Sequence, residues 1–420
     1  MKTRTITLAI FMITSIIMNY AIPAYAQTDS TGYITVTGIV KDKQSRKALS
    51  SVNISVPGTN IGTVTNEDGV FSLKLKEKRH SPVMEISHLG YRNQRINIDS
   101  DNREPITVLL IPHTNLINEI VVLGVNPLLL VQEALKNVSN NYINSPSLLT
   151  GFYRETGQKG KKYINVSEAV VNIYKTSYAK SIDDDKVRIL KGRRLLSQKA
   201  SDTLGVKLMG GPTLGVYADI AKNRDAFINP DGLNLYNFRM EESVNINNTP
   251  QYVVSFTPKV ELPDEALFSG KIYIDKDHLT FSRIEFALDM SSKYKATKAI
   301  LYKKPLGLRF NPQEMSYVVT YKLDNGKAVL NYIRNNIRFK CDWKRRLFAR
   351  TYSVVSEMVI TDLTTNNVIP IRQRDSFDRE DAFYDKVASF ENDNFWEDYN
   401  IIEPSESLEH AVFKLKKQNR

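Results

Sequence analysis

The side chains that bind catalytic metals do not occur at the spacing that a hydrolytic zinc site requires. Such a site combines a His and a Glu close together on one element with a further His, and leaves one position on the metal open for water. None of the five histidines has a Glu three residues later, and the His-Glu-x-x-His motif does not occur. We therefore expect no metal site of this kind. The histidines are His80, His88, His113, His278 and His410.

Motifs that carry a nucleophile or bind phosphate are also missing from the sequence. The Gly-x-Ser-x-Gly turn of serine hydrolases does not occur, and neither does the Gly-x-x-x-x-Gly-Lys loop of nucleotide hydrolases. The single cysteine, Cys341, lies in the alternating segment RFKCDW. This pattern predicts a small apolar side chain on the same strand face as Phe339 and Trp343, with no histidine paired to it in sequence.

Carboxylates form three small groups, and paired carboxylates are the usual machinery of glycoside hydrolysis. The pair Glu67-Asp68 lacks the alternating oxygen ligands and the distant Glu of a calcium loop. Nothing in the sequence selects a catalytic pair from the other two groups. We therefore expect a non-catalytic protein without a cofactor, and an uncharacterised hydrolase remains an alternative. The groups are Glu67-Asp68, Asp183-Asp184-Asp185, and Asp375 with Asp378, Glu380 and Asp381.

The amino-terminal 26 residues have the pattern of a secretory signal peptide. Lys2 and Arg4 form a basic start, an apolar stretch covers 8–18, and a small-x-small cleavage pattern ends at Ala26. The apolar stretch is too short to span a bilayer, and no Cys follows it for lipid attachment. We therefore expect an exported protein of the periplasm or outer membrane that is not a lipoprotein and has no transmembrane helix after cleavage.

The formal net charge is +11, and the basic residues concentrate in two segments, 186–199 and 293–309. Such segments can bind nucleic acid, but export argues against that partner. We expect them to be solvated faces or surfaces attracted to anionic lipid headgroups or lipopolysaccharide.

From Tyr33 to about residue 110, short alternating segments are separated by turn residues at the spacing of a β-sandwich. The stretch GTVTNEDGVFSLKL, 62–75, shows the logic. Asn66, Asp68 and Gly69 favour a tight turn, and Phe71 and the alternate residues after it then share one strand face. The stretch is therefore predicted to be a structural turn and strand and not a metal site.

The order of these turn and core residues resembles the carboxypeptidase-regulatory-like domain over residues 32–123. The resemblance implies a seven-stranded Greek-key sandwich of the transthyretin type, which is itself non-catalytic. The segment NLINEIVVLG, 115–124, resembles the exit by which this domain leads into TonB-dependent receptors of the outer membrane. The matching residues are Gly38, Val40, Asp42, Leu49, Val52, Ile54, Val56, Gly62, Thr63, Thr65, Asn66, Asp68, Gly69, Phe71, Leu73, Ser87, Leu89, Gly90 and Tyr91.

Residues 126–420 predict a second, α+β domain with long antiparallel strands. Asn126-Pro127 favours a helix start, and apolar residues from Leu128 to Tyr142 follow at helical spacing, which predicts four turns. Several hairpins follow, with Asn325-Gly326 as the strongest turn signal, and a last helix is expected around 404–417. The Gly-rich segment 201–241 predicts either an insertion crossing the sheet, which we favour, or a mobile lid.

The phrase SGKIYIDKDHLTFSRIEF, 269–286, resembles a strand pair of periplasmic lipoprotein-carrier-like folds, whose curved sheet cups acyl chains. The resemblance extends over about 126–290, and also to a domain of unknown function that often follows the carboxypeptidase-regulatory-like domain. The overall expectation is a mainly β chain, with a helix-flanked curved antiparallel sheet after the sandwich. On this basis the candidate ligand-binding residues are Ile272, Ile274, Ile284, Phe286 and Leu288.

Together these features predict a non-catalytic binding or interaction module at the periplasmic side of the outer membrane. Its ligand is expected to be an envelope lipid or a glycan. The alternative is a scaffold that docks on TonB-dependent or other outer-membrane proteins through the sandwich. Nucleic acid is not an expected partner.

Overall fold

The computed structural model describes residues 33–76, 83–98, 104–113, 124–199, 202, 206–223, 228–229, 231–343, 349–390 and 399–419. The predicted signal peptide lies outside these residues, as does nearly all of the receptor-like segment 115–124.

Seven strands form the amino-terminal sandwich, which confirms the predicted architecture. One sheet has the order β4-β1-β7 and the other has the order β3-β2-β5-β6. β1 and β7 are parallel, whereas the other neighbours are antiparallel. The strands are β1 (Tyr33–Asp42), β2 (Asn53–Ser55), β3 (Gly62–Val64), β4 (Val70–Lys76), β5 (Val83–Ser87), β6 (Gln94–Asn97) and β7 (Ile106–Leu110).

The turn between β3 and β4 is built as its sequence predicts. The Oδ1 atom of Asn66 accepts hydrogen bonds from the backbone N–H groups of Asp68 and Val70, each at 2.9 Å. Gly69 has a φ of 75°, and a Cβ at this position would lie 2.6 Å from the carbonyl oxygen of Val40. Glycine is therefore required both for the backbone angle and for the close approach to β1.

The rest of the chain is organised around one ten-stranded antiparallel sheet of order β10-β9-β8-β19-β18-β17-β15-β14-β13-β12. A separate two-stranded ladder joins β11 to β16. The large sheet is curved and flanked by helices, as predicted. Its strands and those of the ladder are β8 (Ser147–Lys159), β9 (Lys162–Lys175), β10 (Lys186–Leu196), β11 (Lys207–Leu208), β12 (Tyr236–Ile246), β13 (Thr249–Pro258), β14 (Phe268–Asp275), β15 (Phe281–Leu288), β16 (Leu301–Lys303), β17 (Leu308–Asp324), β18 (Lys327–Trp343) and β19 (Arg350–Thr364).

The α-helices of the described residues are short apart from the last. None of them is long and apolar enough to cross a membrane. The helices are α1 (Pro127–Lys136), α2 (Val138–Asn141), α3 (Leu214–Tyr217), α4 (Lys293–Ile300), α5 (Phe383–Lys386) and α6 (Glu406–Asn419).

The predicted four-turn helix after Asn126 is broken at Asn137. The backbone N–H and the side-chain amide of Asn137 both donate to the carbonyl oxygen of Glu133, each at 3.0 Å. An Asn side chain that competes for backbone groups in this way favours a helix end. Tyr142 then adopts an extended conformation, and its hydroxyl accepts a hydrogen bond from the N–H of Phe281 at 3.1 Å.

Both faces of the large sheet are covered. The inner face is defined by Tyr153, Val171, Ile333 and Met358, and it packs against α1 and α3 in the largest apolar core. The outer face has two smaller clusters, one with the sandwich and residue 402, the other with α6. The large sheet therefore forms the middle layer of the described structure.

The sandwich contacts the carboxyl-terminal residues 401–406 through the stretch 62–68. Thr63 Oγ1 donates to the carbonyl oxygen of Ile401 at 2.8 Å, and Asn66 Nδ2 donates to that of Pro404 at 2.9 Å. The Asp68 carboxylate accepts from the backbone N–H of Glu406 at 2.7 Å. The turn is therefore a docking contact within the chain as well as a scaffold element.

Candidate ligand-binding cavities

A single row of side chains runs across five neighbouring strands on the inner face of the large sheet. In register, Phe286 on β15 pairs with Tyr317 on β17, and Tyr317 pairs with Asn335 on β18. Asn335 pairs with Ser356 on β19, which pairs with Glu155 on β8. The row thus changes from aromatic at one end to polar and acidic at the other, and each of its residues lines a cavity.

The Gly-rich segment lies directly on this inner face where it is described. A Cβ at Gly215 in α3 would meet Ile173 Cδ1 at 2.4 Å and Met358 Sδ at 2.9 Å. Only a glycine lets this helix approach β9 and β19 so closely. The described part of the segment therefore packs on the sheet as an insertion and forms a roof above it.

Buried ion pairs fix the insertion to the sheet. Asp219 accepts a hydrogen bond from Lys175 on β9 at 2.7 Å and one from the Tyr321 hydroxyl at 3.0 Å. Lys222 donates to Asp185 at 2.7 Å. Burial and the neighbouring Lys175 lower the pKa of Lys222, while Asp185 opposes this effect. Because the four charges are fully buried, removal of one partner would leave an uncompensated charge in the core.

The apolar cavity lies between the aromatic end of the row and the insertion, with a volume of about 500 Å³. Phe286 stacks on Tyr317 with ring centroids 4.8 Å apart and meets the edge of Phe268 at 5.3 Å. The volume and the mainly apolar walls are those of a small-molecule binding site. Its lining includes Met209, Thr213, Leu214, Tyr217, Ile220, Leu235, Tyr236, Leu262, Ala266, Leu267, Phe268, Phe286, Ala299, Met315, Tyr317 and Arg379.

One of the five ligand-binding candidates from the sequence, Phe286, lines this cavity. Ile272, Ile274 and Ile284 are 0% exposed and pack in the main core. Leu288 is buried in a neighbouring cluster. Although all five lie on β14 and β15, the cavity occupies only the section of these strands around Phe268 and Phe286. Alternation indicates which face a residue occupies, but not where the covering layer leaves room.

The polar cavity adjoins the apolar one and has a volume of about 160 Å³. The two cavities share Met209, Gly210 and Leu214 in their walls. Strands β8, β9, β18 and β19 contribute one side of it, and the insertion and residues 381–384 contribute the other. Its lining includes Glu155, Asn165, Ser197, Asp202, Val206, Lys207, Asn335, Ile337, Val354, Ser356, Asp381, Phe383 and Tyr384.

Two hydrogen-bond acceptors in the polar cavity lack a full set of donors. Glu155 Oε2 accepts from the Tyr153 hydroxyl at 3.2 Å, and no Lys or Arg of the described residues forms an ion pair with this carboxylate. Burial raises the pKa of Glu155 to about 7, and the bond from Tyr153 opposes the rise only in part. Asn335 is 4% exposed, and its Oδ1 accepts no hydrogen bond within the described structure. Such a buried, unpaired acceptor is costly unless a ligand or water satisfies it.

The other charges of the polar cavity have partners. Asp202 pairs with Lys159 and Lys162, and accepts a hydrogen bond from Ser197. Burial would raise the pKa of Asp202, but these bonds hold it at about 2. Asp381 pairs with Lys386 at 3.2 Å. Glu155 is therefore the acidic group of this cavity that has no cationic partner among the described residues.

A wide charged groove of about 850 Å³ borders the polar cavity, and Lys207 and Asp381 line both. The groove also contains Asp378 and Glu380, two acidic residues that the sequence singles out. In the described residues no three side chains of His, Cys, Asp or Glu converge as a metal site. The groove thus adjoins the polar cavity at Lys207 and Asp381.

The sequence around Glu155 contains a local signal for a polar site on the inner face. On β8 the residues Leu149, Gly151, Tyr153, Glu155 and Gly157 alternate onto the inner face, so a carboxylate interrupts an otherwise apolar or glycine series. Asn335 has no comparable signal, because it follows the equally polar Arg334 and precedes Asn336.

Residues 36–122 match the family model of the CarboxypepD_reg-like domain, which confirms the resemblance noted for the sandwich. The chain is 34% identical over 104 residues to the TonB-dependent receptor SusC of Bacteroides thetaiotaomicron, a region that covers 25% of this chain. The chain spans only 9% of the length of that receptor.

Among solved structures, the chain is similar to a DUF1329 family protein from Desulfovibrio piger, with 12% identity, 58% of this chain and 95% of that chain covered, and a TM-score of 0.26. A putative outer membrane lipoprotein-sorting protein domain from Vibrio parahaemolyticus matches at 13% identity, with 59% and 95% covered and a TM-score of 0.27. A LolA superfamily protein from Nitrosomonas europaea matches at 11% identity, with 58% and 98% covered and a TM-score of 0.23.

Proposed function

We propose that this protein is a non-catalytic binding protein of the bacterial envelope that holds the acyl chain of a lipid in the apolar cavity. The observation that carries the proposal is the cavity of about 500 Å³ between Phe268, Phe286 and Tyr317 on the sheet and the insertion above them. We favour a lipid over a glycan because the aromatic floor is continuous and the walls are mainly apolar.

The energetics of such a site favour an alkyl chain. Each methylene group moved from water into an apolar site contributes about 0.8 kcal/mol. The cavity exists without rearrangement of the fold, since the ion pairs of Asp219 and Lys222 hold the roof in place. A preformed site lowers the ordering cost of binding.

An envelope location is supported by the similarity of the sandwich to part of a TonB-dependent receptor. It also agrees with the signal-peptide pattern of residues 1–26. We place the protein at the periplasmic side of the outer membrane, where acyl chains are abundant.

Native mass spectrometry of the chain, expressed with its own amino-terminal segment in a Gram-negative host and purified without delipidation, tests the proposal. We expect a discrete added mass in the lipid range. Ala299→Trp would fill part of the cavity from α4 and should remove this mass. Ala349→Trp is the matched control, because Ala349 is exposed and lines neither cavity. A clean unliganded mass for the wild type, or equal retention by both variants, would contradict the proposal.

A second candidate function is an interaction scaffold in which the sandwich docks on an outer-membrane protein. The family match over 36–122 and the receptor similarity favour it. Among the described strands, β6 and β7 each lie at an edge of a sandwich sheet, whereas β3 faces the large sheet. Crosslinking from Arg95 on β6, which is exposed, would capture an outer-membrane protein if this function holds.

A further inference from the structure

The acceptors of the polar cavity point to a chemical class of ligand. Glu155 contributes a carboxylate without a cationic partner among the described residues, and Asn335 contributes an Oδ1 atom without a donor. Both residues belong to the row that continues into the apolar cavity. A ligand that fits here supplies hydrogen-bond donors and a positive charge at one end and an alkyl chain at the other.

From this juxtaposition we propose that the polar cavity is a head-group subsite for a protonated primary amine, which is bound by Glu155 and Asn335 while the alkyl chain of the same molecule fills the apolar cavity. This inference rests on the proposed function. It assigns the charge of the ligand, which the apolar cavity alone leaves open.

An ammonium group suits these two acceptors better than a hydroxyl or an anion does. It has three donors and no acceptor, so it matches a cavity whose two open groups, the Glu155 carboxylate and the Asn335 amide oxygen, are both acceptors. Hydrogen bonds with an ionised partner are stronger than neutral ones. A carboxylate or phosphate would instead meet the Glu155 carboxylate, whereas Lys207, a cation of the same walls, already pairs with Asp385.

We expect an amine to reach the subsite through the charged groove. Lys207 and Asp381 line both the groove and the polar cavity. Lys207 Nζ lies 3.6 Å from Asp385 Oδ2. An amine can therefore reach Glu155 from the surface past partly exposed charges without crossing the apolar core.

The binding equilibrium should depend on pH through Glu155. Its pKa of about 7 in the unliganded protein reflects burial, and binding of a cation requires the ionised carboxylate. The other titratable or charged groups that face the cavity are Asp202, Lys207, Asp381 and Tyr384, and Tyr153 hydrogen-bonds Glu155 directly. Affinity for the amine should rise as the pH increases through about 7 and then level off.

Isothermal titration calorimetry of the delipidated full chain with decylamine, decanol and decanoate tests the inference. At about pH 8.5, where Glu155 is ionised, decylamine should bind about tenfold more tightly than decanol, because it adds a charge-assisted hydrogen bond. Decanoate should bind most weakly. Glu155→Gln should abolish the preference for decylamine over decanol and the pH dependence of that preference.

Two controls keep the outcomes distinct. Glu242→Gln removes an exposed carboxylate of β12 that lines neither cavity and should change nothing. Asn335→Leu, which keeps a buried side chain of similar size, should also reduce the preference for decylamine, and it tests the subsite if Glu155→Gln unfolds. Propylamine separates a lipid head group from a small free amine, since it should bind at least about tenfold more weakly than decylamine.

Equal binding of decylamine and decanol, with no effect of Glu155→Gln, would overturn the amine subsite and leave the acyl-chain proposal standing. Failure of all three long-chain ligands to bind would overturn both. Propylamine that binds as tightly as decylamine would contradict the combined site and show that the cavity takes a free amine.

Discussion

Arg154 on β8 and Glu168 on β9 form an ion pair across the outer face of the large sheet, with Nε and Oε1 2.6 Å apart. The two side chains are 3% and 0% exposed. Arg154 also donates from Nη2 to the carbonyl oxygen of Ile402 at 2.7 Å. Arg154 thus links β8 and β9 to the carboxyl-terminal segment.

We expect Arg154→Met to lower the free energy of unfolding by about 3–5 kcal/mol, because it leaves the buried Glu168 with Arg193 as its remaining ion-pair partner. Urea denaturation measures the change. Arg95→Met is the matched control, since Arg95 is 69% exposed in its pair with Glu85, and such a pair contributes at most about 1 kcal/mol. Similar losses for the two variants would refute this assignment.

Removal of Lys222 should loosen the insertion in addition to destabilising the fold. Lys222→Met leaves the buried Asp185 with its two hydrogen bonds from Thr176 and with the more distant cation Lys175, 3.7 Å away. Loss of the closer cation costs about 3–5 kcal/mol. Hydrogen exchange should accelerate in 206–223 more than in β17 or β18. Uniform acceleration across the sheet would instead indicate global destabilisation alone.

The unliganded protein should lose stability as Glu155 ionises. Its pKa is raised on folding from 4.5 to about 7, so the protonated form is favoured in the folded state. This contribution is complete below about pH 4.5 and is lost as the pH rises through about 7, for a total of about 3 kcal/mol. Unfolding free energies measured from pH 4.5 to pH 8 should fall less steeply for Glu155→Gln than for the wild type. Parallel pH profiles would show that Glu155 has an ordinary pKa.

Asn66→Asp separates the two roles of this turn residue. The aspartate keeps the acceptor for the N–H groups of Asp68 and Val70 but loses the donor to the carbonyl oxygen of Pro404. We expect a loss of about 1–3 kcal/mol, since that carbonyl contact is partly buried. Asn66→Ala removes both sets of bonds and should lower the free energy of unfolding further. Differential scanning calorimetry of the two variants and the wild type measures both losses. A melting temperature of Asn66→Asp equal to that of the wild type would show that the docking contact contributes nothing.

Gly215→Ala tests the close approach of α3 to the sheet. The added methyl group would clash with Ile173 and Met358, and overpacking of this kind costs about 1–3 kcal/mol. Gly157→Ala is a milder control, because its nearest neighbour would lie at 3.4 Å. If Gly215→Ala retains wild-type stability by chemical denaturation, the roof must be able to shift away from the strands.

The strands and turns of the sandwich could be predicted in detail because each is determined by residues that are close together in the sequence. Asn66 and Gly69 determine a turn, and the alternation from Phe71 to Leu75 determines a strand face. The docking role of Asn66 could not be predicted in the same way. It depends on a carbonyl group more than 300 residues away along the chain, which no local pattern reveals.

The cavities were only partly predictable for a related reason. The phrase 269–286 predicts a strand pair, and the inward face includes Phe286 as expected. Whether Phe286 or Ile272 borders an open space depends on the path of the insertion, which is fixed by Gly215, Asp219 and Lys222. Glu155 reaches the same site only through the register of four further strands.

The strand spacing of the large sheet fixes the distance between Phe286 and Glu155, the two ends of the row. Four inter-strand steps separate the two residues, and each step is about 4.8 Å, so the row is roughly 19 Å long. This length is set by backbone hydrogen bonds and does not vary with side-chain identity. If a ligand spans both cavities as proposed, substitutions along the row would alter which head group or tail binds best. The distance between the two ends of that ligand would change only with the number of strands.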